Sequence, residues 1–342
     1  MADPSLQSLL RDTSRSFYLT VRILPRAVRP QVSIAYLLAR TSDTIADSQG
    51  DLLKARMAGL AYLRSRILCA PTLAPKTSRL PSDGATPAER VLVSRVKETL
   101  QIFNGMAEED KRLIREVLGT IISGQELDLM RFGPPNPPQL RVLETEAELD
   151  DYTFRVAGCV GEFWTRLCRA HLFPRAAVDE EMLLRDGIRF GKGLQLVNIL
   201  RDIPADLKDG RCYIPRQSLA AAGLTPEDLR SPVNETRFRA LYHAWLDRAG
   251  EHLEAGWNYT NALPRGQWRL RLACAWPALF GARTLRKLRD ANVLDASRRV
   301  KISRGEVRAI MGRSVILSAW PAAWRGQFWR EMGAGHIAGF PS

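Results

Sequence analysis

The chain is 342 residues long, with 45% hydrophobic and 25% charged positions, the proportions of an ordinary folded protein, which exclude disordered, collagen-like and disulfide-scaffold classes. Its 50 Lys and Arg against 37 Asp and Glu leave a formal charge of +13, a field that draws phosphates, anionic lipid heads or nucleic acid. Of the 50 basic residues 42 are Arg, a bias that genome base composition also produces.

From Gln31 the text QVSIAYLLARTSDTIAD carries apolar residues at helical spacing behind Pro30, and Pro suits a first helical turn, so a buried helix is predicted there. A Pro, Ser and Thr cluster over 71–87 reads as a surface loop, and GPPNPP at 133–138 as a second sharp break. Further helices are predicted over 88–103, 107–129, 146–172, 178–201, 236–259, 267–290 and 304–311. Alternating Val, Ile and Thr runs bounded by turn pairs do not recur, and no internal period is present. The fold class is therefore all-α, a single domain over 1–312 followed by a Trp- and Arg-rich tail over 313–342. Five scattered cysteines without a C-x-x-C pair suit packing in a reducing cytosol. No charged-then-apolar leader and no apolar run near the roughly 20 residues of a spanning helix occurs, so a cytoplasmic protein, free or on a membrane surface, is expected.

Three Asp-x-x-x-Asp pairs occur: Asp43 with Asp47, Asp47 with Asp51, and Asp202 with Asp206. Four-residue spacing puts both carboxylates on one helical face, where like charges repel and need compensation. The middle pair contains Gly50 and falls past the helix end. The outer two each end a strongly apolar helix, with Arg40 and Arg201 just upstream. Such pairs either hold Mg²⁺, a hard cation that shares one or two carboxylates with substrate phosphates, or are solvated helix ends; the repetition favours the metal. Pro204 lies inside the second pair and predicts a kink that re-aims Asp206.

The segments SRSFYLTVRILP (14–25), YLLARTSDTIAD (36–47), YTFRVAGCVG (152–161) and QLVNILRDIPADLKDGRCYIP (195–215) together resemble the squalene and phytoene synthase family, over about Ser14 to Met311. The resemblance implies an isoprenoid synthase fold, helices around a central cavity with two aspartate motifs facing across it, and head-to-head condensation of two prenyl diphosphates with Mg²⁺. It implies Asp43, Asp47, Asp202, Asp206 and Asn198 as metal ligands, and Arg15, Arg40, Arg201, Phe17, Gln195 and Asn198 on the substrate, the guanidinium fork suiting diphosphate. Tyr36 and Tyr152 match phenols near the step in which a proton leaves as a cyclopropyl ring closes, with Arg40 beside them; core packing is their other role. VKISRG (300–305) is similar to the VKIRKG element associated with NADPH in the squalene synthases of the family, which implies cofactor contacts from Lys301 and Arg304, farnesyl diphosphate as substrate and squalene as product. Non-reducing relatives making dehydrosqualene or phytoene are the near alternative, and a basic nucleic-acid-binding helical protein the remote one.

Carbocation chemistry needs a dry pocket with aromatic faces, for which Phe154, Phe163, Trp164 and Phe280 are candidates alongside ordinary core roles. Gly158 and Gly161 allow close approach of chain or substrate. Glu126 and Asp128, inside an apolar stretch, are expected to be solvated or ion-paired, with outer-shell acids facing the cavity as the alternative. In the tail Trp320, Trp324 and Trp329 alternate with Arg325 and Arg330, a mixture suited to the lipid headgroup zone; peripheral membrane association is one expectation, a tail folded on the core the other.

Overall fold

The structure, a computed structural model, describes residues 4–14, 17–48, 50–68, 80–133 and 140–333. Helices dominate, and the chain divides into two compact units, Met1–Pro137 with Glu162–Arg175, and Pro138–Gly161 with Ala176–Ser342.

The first unit holds α1 (Pro4–Thr13), α2 (Phe17–Ile23), α3 (Arg29–Ala46), α4 (Leu53–Leu68), α5 (Pro87–Ser94), α6 (Val96–Asn104) and α7 (Glu108–Phe132). Helix α3 is the axis, packed by α4, α5, α6 and α7 and buried on most of its circumference, from Val32 through Leu38 to Ile45. Pro30 sits in its first turn as the sequence predicts. Thr41 and Thr44 are tolerated inside because each hydroxyl donates back to a carbonyl of its own helix, those of Leu37 and Arg40, at 2.8 and 2.9 Å.

Helix α4 has no counterpart among the predicted helices, since Arg56, Arg64 and Arg66 interrupt its apolar face. Arg56 is nonetheless buried, and its Nε donates to the Ala46 carbonyl at 2.8 Å. A cation thus occupies the negative end of α3 and satisfies one of its orphan carbonyls. The helix predicted over 88–103 is broken at Arg95 into α5 and α6. Helix α5 starts with a capping box, Thr86 with Glu89. Of the loop expected over 71–87, only 80–87 lies within the described residues, Pro87 opening α5, as does only Gly133 of the GPPNPP break.

In the second unit α8 (Glu146–Thr153) runs into one π-helical turn, Phe154–Gly158, before α9 (Cys159–Leu172), whose later residues belong to the first unit. There follow α10 (Glu180–Lys208), α11 (Arg216–Ala221), α12 (Glu235–Ala262), α13 (Trp268–Arg289), α14 (Arg304–Leu317), α15 (Pro321–Arg325) and α16 (Gln327–Met332). The strand content is a two-residue parallel pair among the described residues, Arg141 opposite Arg211 and Val142 opposite Cys212. The close approach expected at Gly158 and Gly161 is chain against chain. A Cβ at Gly161 would lie 1.9 Å from the Gly187 carbonyl oxygen, and one at Gly191 2.2 Å from that of Ala157. Backbones of the π-turn region and α10 touch directly.

Helix α10 does not stop at Arg201 but continues through Pro204 to Lys208. The ring removes the N–H that would bond the Leu200 carbonyl. That oxygen instead accepts the buried Tyr242 hydroxyl of α12 at 3.2 Å, so the helix persists and Asp206 remains on the same helix as Asp202.

The described part of the tail is folded within the second unit. Trp324 is buried and stacked on Trp257 at 5.4 Å, and its indole N–H donates to Asn261 Oδ1 at 2.9 Å. Glu331 is 2% exposed beside Arg283 and Arg313. Trp329 is half-buried and Trp320 exposed. The described cysteines, 159, 168, 212 and 274, are buried; Cys69 lies outside the described residues. No described helix is long and apolar enough to cross a membrane.

Candidate active site

Tyr36, Arg40 and Asp43 stand at helical spacings of four and three on α3, and Asp47 is its C-cap, its N–H donating to the Asp43 carbonyl at 2.8 Å. Arg40 is ion-paired with Glu89 of α5 and lies 3.7 Å from Asp43. From α7, Gln125 donates to Asp43 Oδ1 at 2.5 Å. Burial first, and then the like charge of Asp47, push the Asp43 carboxyl up to about 6, with Arg40 and Gln125 acting against them. Yet 42% of the side chain still meets solvent, so Asp43 is crowded by protein on one side and reachable on the other. Arg40 cannot balance this pair alone, because it also serves Glu89. Two acids raising each other's energy at one helix end, with oxygen donors only, are what a hard divalent cation relieves. The donor set therefore fits Mg²⁺.

The Tyr36 hydroxyl donates to the Thr13 carbonyl at 3.1 Å, and burial raises its pKa to about 12. It is a neutral phenol whose proton is already engaged. Asp51 takes no part: it accepts from Ser48 Oγ at 2.7 Å and from the Ser82 and Asp83 amides at 3.1 and 3.2 Å, holding a loop in keeping with the Gly50 break.

On α10, Gln195, Asn198, Asp202 and Asp206 follow at spacings of three and four, along one face. Asp202 receives bonds from Arg201, at 3.1 and 2.6 Å, and from Arg299, at 3.0 and 2.7 Å. Burial pushes its carboxyl up, but Arg201 and then Arg299 outweigh this and hold it below the usual carboxylate range. It is an ionised carboxylate whose lone pairs are held by guanidiniums, so a cation binding here would have to take oxygen contacts from them, leaving those forks free for phosphate. Asp206 lines a cavity of about 10 Å³ with Ile203, Cys212 and Tyr213. Tyr152, from α8, stacks on Tyr213 with ring centres 4.8 Å apart. Among the described residues no three His, Cys, Asp or Glu side chains converge on a common metal point.

Lys301 and Arg304 are exposed. Between them Ser303 caps α14 in a capping box with Glu306. The Glu306 carboxyl is drawn down to about 2, chiefly by Lys287, which donates to it at 2.7 Å. Part of the VKISRG pattern is thus a helix start, legible as S-x-x-E. Arg15 lies outside the described residues, and so does the side chain of Phe17, whose backbone opens α2. Phe163 is core, while Phe154, Trp164 and Phe280 are half-buried. Glu126 pairs with Arg64 at 2.9 Å. Glu89, Gln125 and Arg299 are site neighbours that spacing alone does not reveal.

The family profile described as squalene/phytoene synthase matches residues 10–306. Presqualene diphosphate synthase of Rhodopseudomonas palustris is 31% identical over 73% of this chain and 76% of its own. A bifunctional lycopene cyclase/phytoene synthase of Gibberella fujikuroi is 29% identical over 79% of this chain, which spans only 45% of that protein. Among solved structures, a ligand complex of TcSQS superposes with TM-score 0.77 at 21% identity, covering 98% of this chain and 93% of that one. A ligand complex of a dehydrosqualene synthase gives TM-score 0.64 at 20% identity, covering 92% and 96%. The helical fold is thus one seen in both.

Proposed function

Because this chain belongs to the squalene/phytoene synthase family, we propose that it joins two farnesyl diphosphates head to head into a cyclopropyl diphosphate and reduces that intermediate to squalene with NADPH. The observation that carries the condensation is the Asp43 and Asp47 pair, held in register by Gln125 and raised in energy at a solvent-reachable helix end. Asp43 with Asp47, and Asn198 with Asp202 and Asp206, would hold magnesium, which would supply Lewis-acid neutralisation of the departing diphosphate.

The chain's own residues do the rest. Arg40 and Arg201, with Arg15, present guanidinium forks to diphosphate oxygens. Gln125 orients Asp43, and Arg201 together with Arg299 keeps Asp202 ionised. Diphosphate leaves with its bonding electron pair, the second substrate's double bond attacks the allylic carbon, and loss of a proton closes the ring. Tyr152, on the YTFRVAGCVG segment that matches the family, is assigned to accept that proton on its oxygen. Gln195 is assigned to the substrate, as Phe17 is by its match to the family motif, and aromatic faces would keep water from the cation.

Lys301 and Arg304 are exposed at the start of α14, and among the described residues neither side chain is ion-paired; their charges suit the phosphates of NADPH. The second reading is a synthase that stops before reduction and yields the cyclopropyl diphosphate, dehydrosqualene or phytoene. It is favoured by the capping box, which accounts for Ser303 without a cofactor, and by the presqualene diphosphate synthase relative. We also assign this protein to a membrane surface, where a nearly insoluble product is released, and assign it no nucleic-acid role.

Incubation with farnesyl diphosphate and Mg²⁺, with and without NADPH, tests these readings by product identification. Squalene only with NADPH supports the full reaction. The same non-reduced product in both selects the second reading. Undiminished turnover by Asp43→Asn or Asp202→Asn, both expected to fold and to be inactive, overturns the metal assignment.

A further inference from the structure

A cavity of about 330 Å³ opens in the second unit, walled by the end of α12, the first turn of α13 and the α14–α15 connection. None of the aspartate, arginine or tyrosine residues assigned above lines it. Its wall carries Arg265, Arg271 and Arg325 together with Trp268, Trp324 and Ser318, and no acidic side chain. Among the described residues none of these three arginines has an ion-pair partner, which is notable where so many of the chain's arginines are paired. Arg271 is half-buried, its guanidinium stacked 5.3 Å over the Trp324 ring, and its Nε is buried with no hydrogen-bond partner. Burial and the charge of Arg265 both disfavour its cationic form. Three guanidiniums in one concavity repel one another unless an anion is shared, and the first turn of the long helix α13 adds its positive end. The Arg fork matches the several oxygens of a phosphate.

On the cavity wall Trp268 is 52% exposed, and close in sequence to the lining residues Ser318, Ala319 and Pro321 the side chains of Ile316 and Trp320 are 64% and 58% exposed. Aromatic and aliphatic side chains around cationic heads are the arrangement of a lipid headgroup zone.

We propose that this cavity is a phosphate-ester site, separate from the prenyl diphosphate chemistry, and that the headgroup of an anionic phospholipid is what fills it. The proposal uses the membrane-surface reading only for the source of the phosphate.

The test uses the full chain in co-sedimentation with phosphatidylglycerol/phosphatidylcholine vesicles, with pure phosphatidylcholine as the comparison, and in thermal-shift titration with glycerol 3-phosphate. Two variants remove the site: Arg271→Gln with Arg325→Gln, and Arg265→Gln with Arg325→Gln, the latter leaving the Arg271–Trp324 stack intact. Arg90→Gln with Arg230→Gln removes equal charge elsewhere on the surface. At about fivefold per basic residue near an anionic surface, each site variant loses roughly tenfold or more in partition to anionic vesicles. The control is expected to stay within about twofold of the parent, the difference being the contribution of the cavity. If vesicles are not bound but glycerol 3-phosphate stabilises the parent and neither site variant, the site stands and the membrane source fails. Equal losses in site variants and control, or binding of neither probe by the parent, overturn the proposal.

Discussion

Replacing Glu331 by Gln is expected to loosen the second unit. Its carboxylate is 2% exposed and sits between Arg313, which donates to it at 3.0 Å, and Arg283, 2.8 Å away. The Arg283 contact is close but poorly aligned, since neither Arg283 Nε nor Glu331 Oε2 satisfies hydrogen-bond geometry; it is coulombic attraction more than a bond. Removing one partner of a fully buried ion pair costs about 3–5 kcal/mol, because the other charge is left without compensation. Here the arginines keep 25% and 36% of their side-chain exposure, so water recovers part of that and about 2–3 kcal/mol is expected. For a unit of this size that lowers Tm by roughly 5–10 °C. Thermal melts followed by circular dichroism measure it, with 1 M salt as a check that a buried group is involved. A fall under about 2 °C would refute the reasoning and mean that α16 contributes little to the core. The same geometry bears on truncation after Gly312, which strips the partner from Arg283 and the cover from Trp257, so a loss of membrane binding in that variant reports misfolding as readily as a missing tail.

Gly161→Ala places a methyl 1.9 Å from the Gly187 carbonyl and, since backbone cannot yield cheaply, costs about 3 kcal/mol or more; a urea midpoint within error of the parent would show that the helices separate easily. Tyr152→Phe keeps the ring stacked on Tyr213 and leaves stability unchanged, while formation of the cyclopropyl intermediate falls by about 10²-fold; an unchanged single-turnover rate returns Tyr152 to packing. Burial first, then Arg189, Lys192 and Arg248, lower the His252 pKa to about 4 from 6.5. The unfolded state then binds the extra proton below pH 6.5, so stability is lost as pH falls from 6.5 toward 4. His252→Gln should flatten that part of the pH–stability curve, and an unaltered slope would show that other groups set it.

Much of the site is legible in the sequence because its main signals are local. Carboxylates four apart at the ends of apolar helices, Pro30 at a helix start and the order of the four motifs all lie in short windows of text. What escapes such reading is long-range. Gln125 reaches Asp43 across 82 residues and Arg299 reaches Asp202 across 97, and no periodicity links them. Helix α4 is hidden by its arginines, one of which serves the end of α3. Pro204 reads as a kink because its effect on the Leu200 carbonyl is local, whereas the hydroxyl that mends it comes from Tyr242, 42 residues away from Leu200. The tail's tryptophans and arginines suit both an interface and an ion-paired core, and burial divides them residue by residue, with Trp324 packed on Trp257 and Trp320 exposed.

The backbone contact between the π-turn and α10 has a mechanical consequence. With no side chains between Gly161 and Gly187, or between Ala157 and Gly191, there is nothing compressible at the joint. Tyr152 is two residues ahead of the π-turn and Asp202 is three helical turns beyond Gly191, on elements that Tyr213 also ties together by its stack. Phenol and carboxylate are therefore mounted on one stiff frame. A displacement of α10 carries Tyr152 with it, so under the proposed roles the spacing between Tyr152 and Asp202 would be conserved through a turnover, and adaptation to a growing hydrocarbon would fall to other parts of the chain.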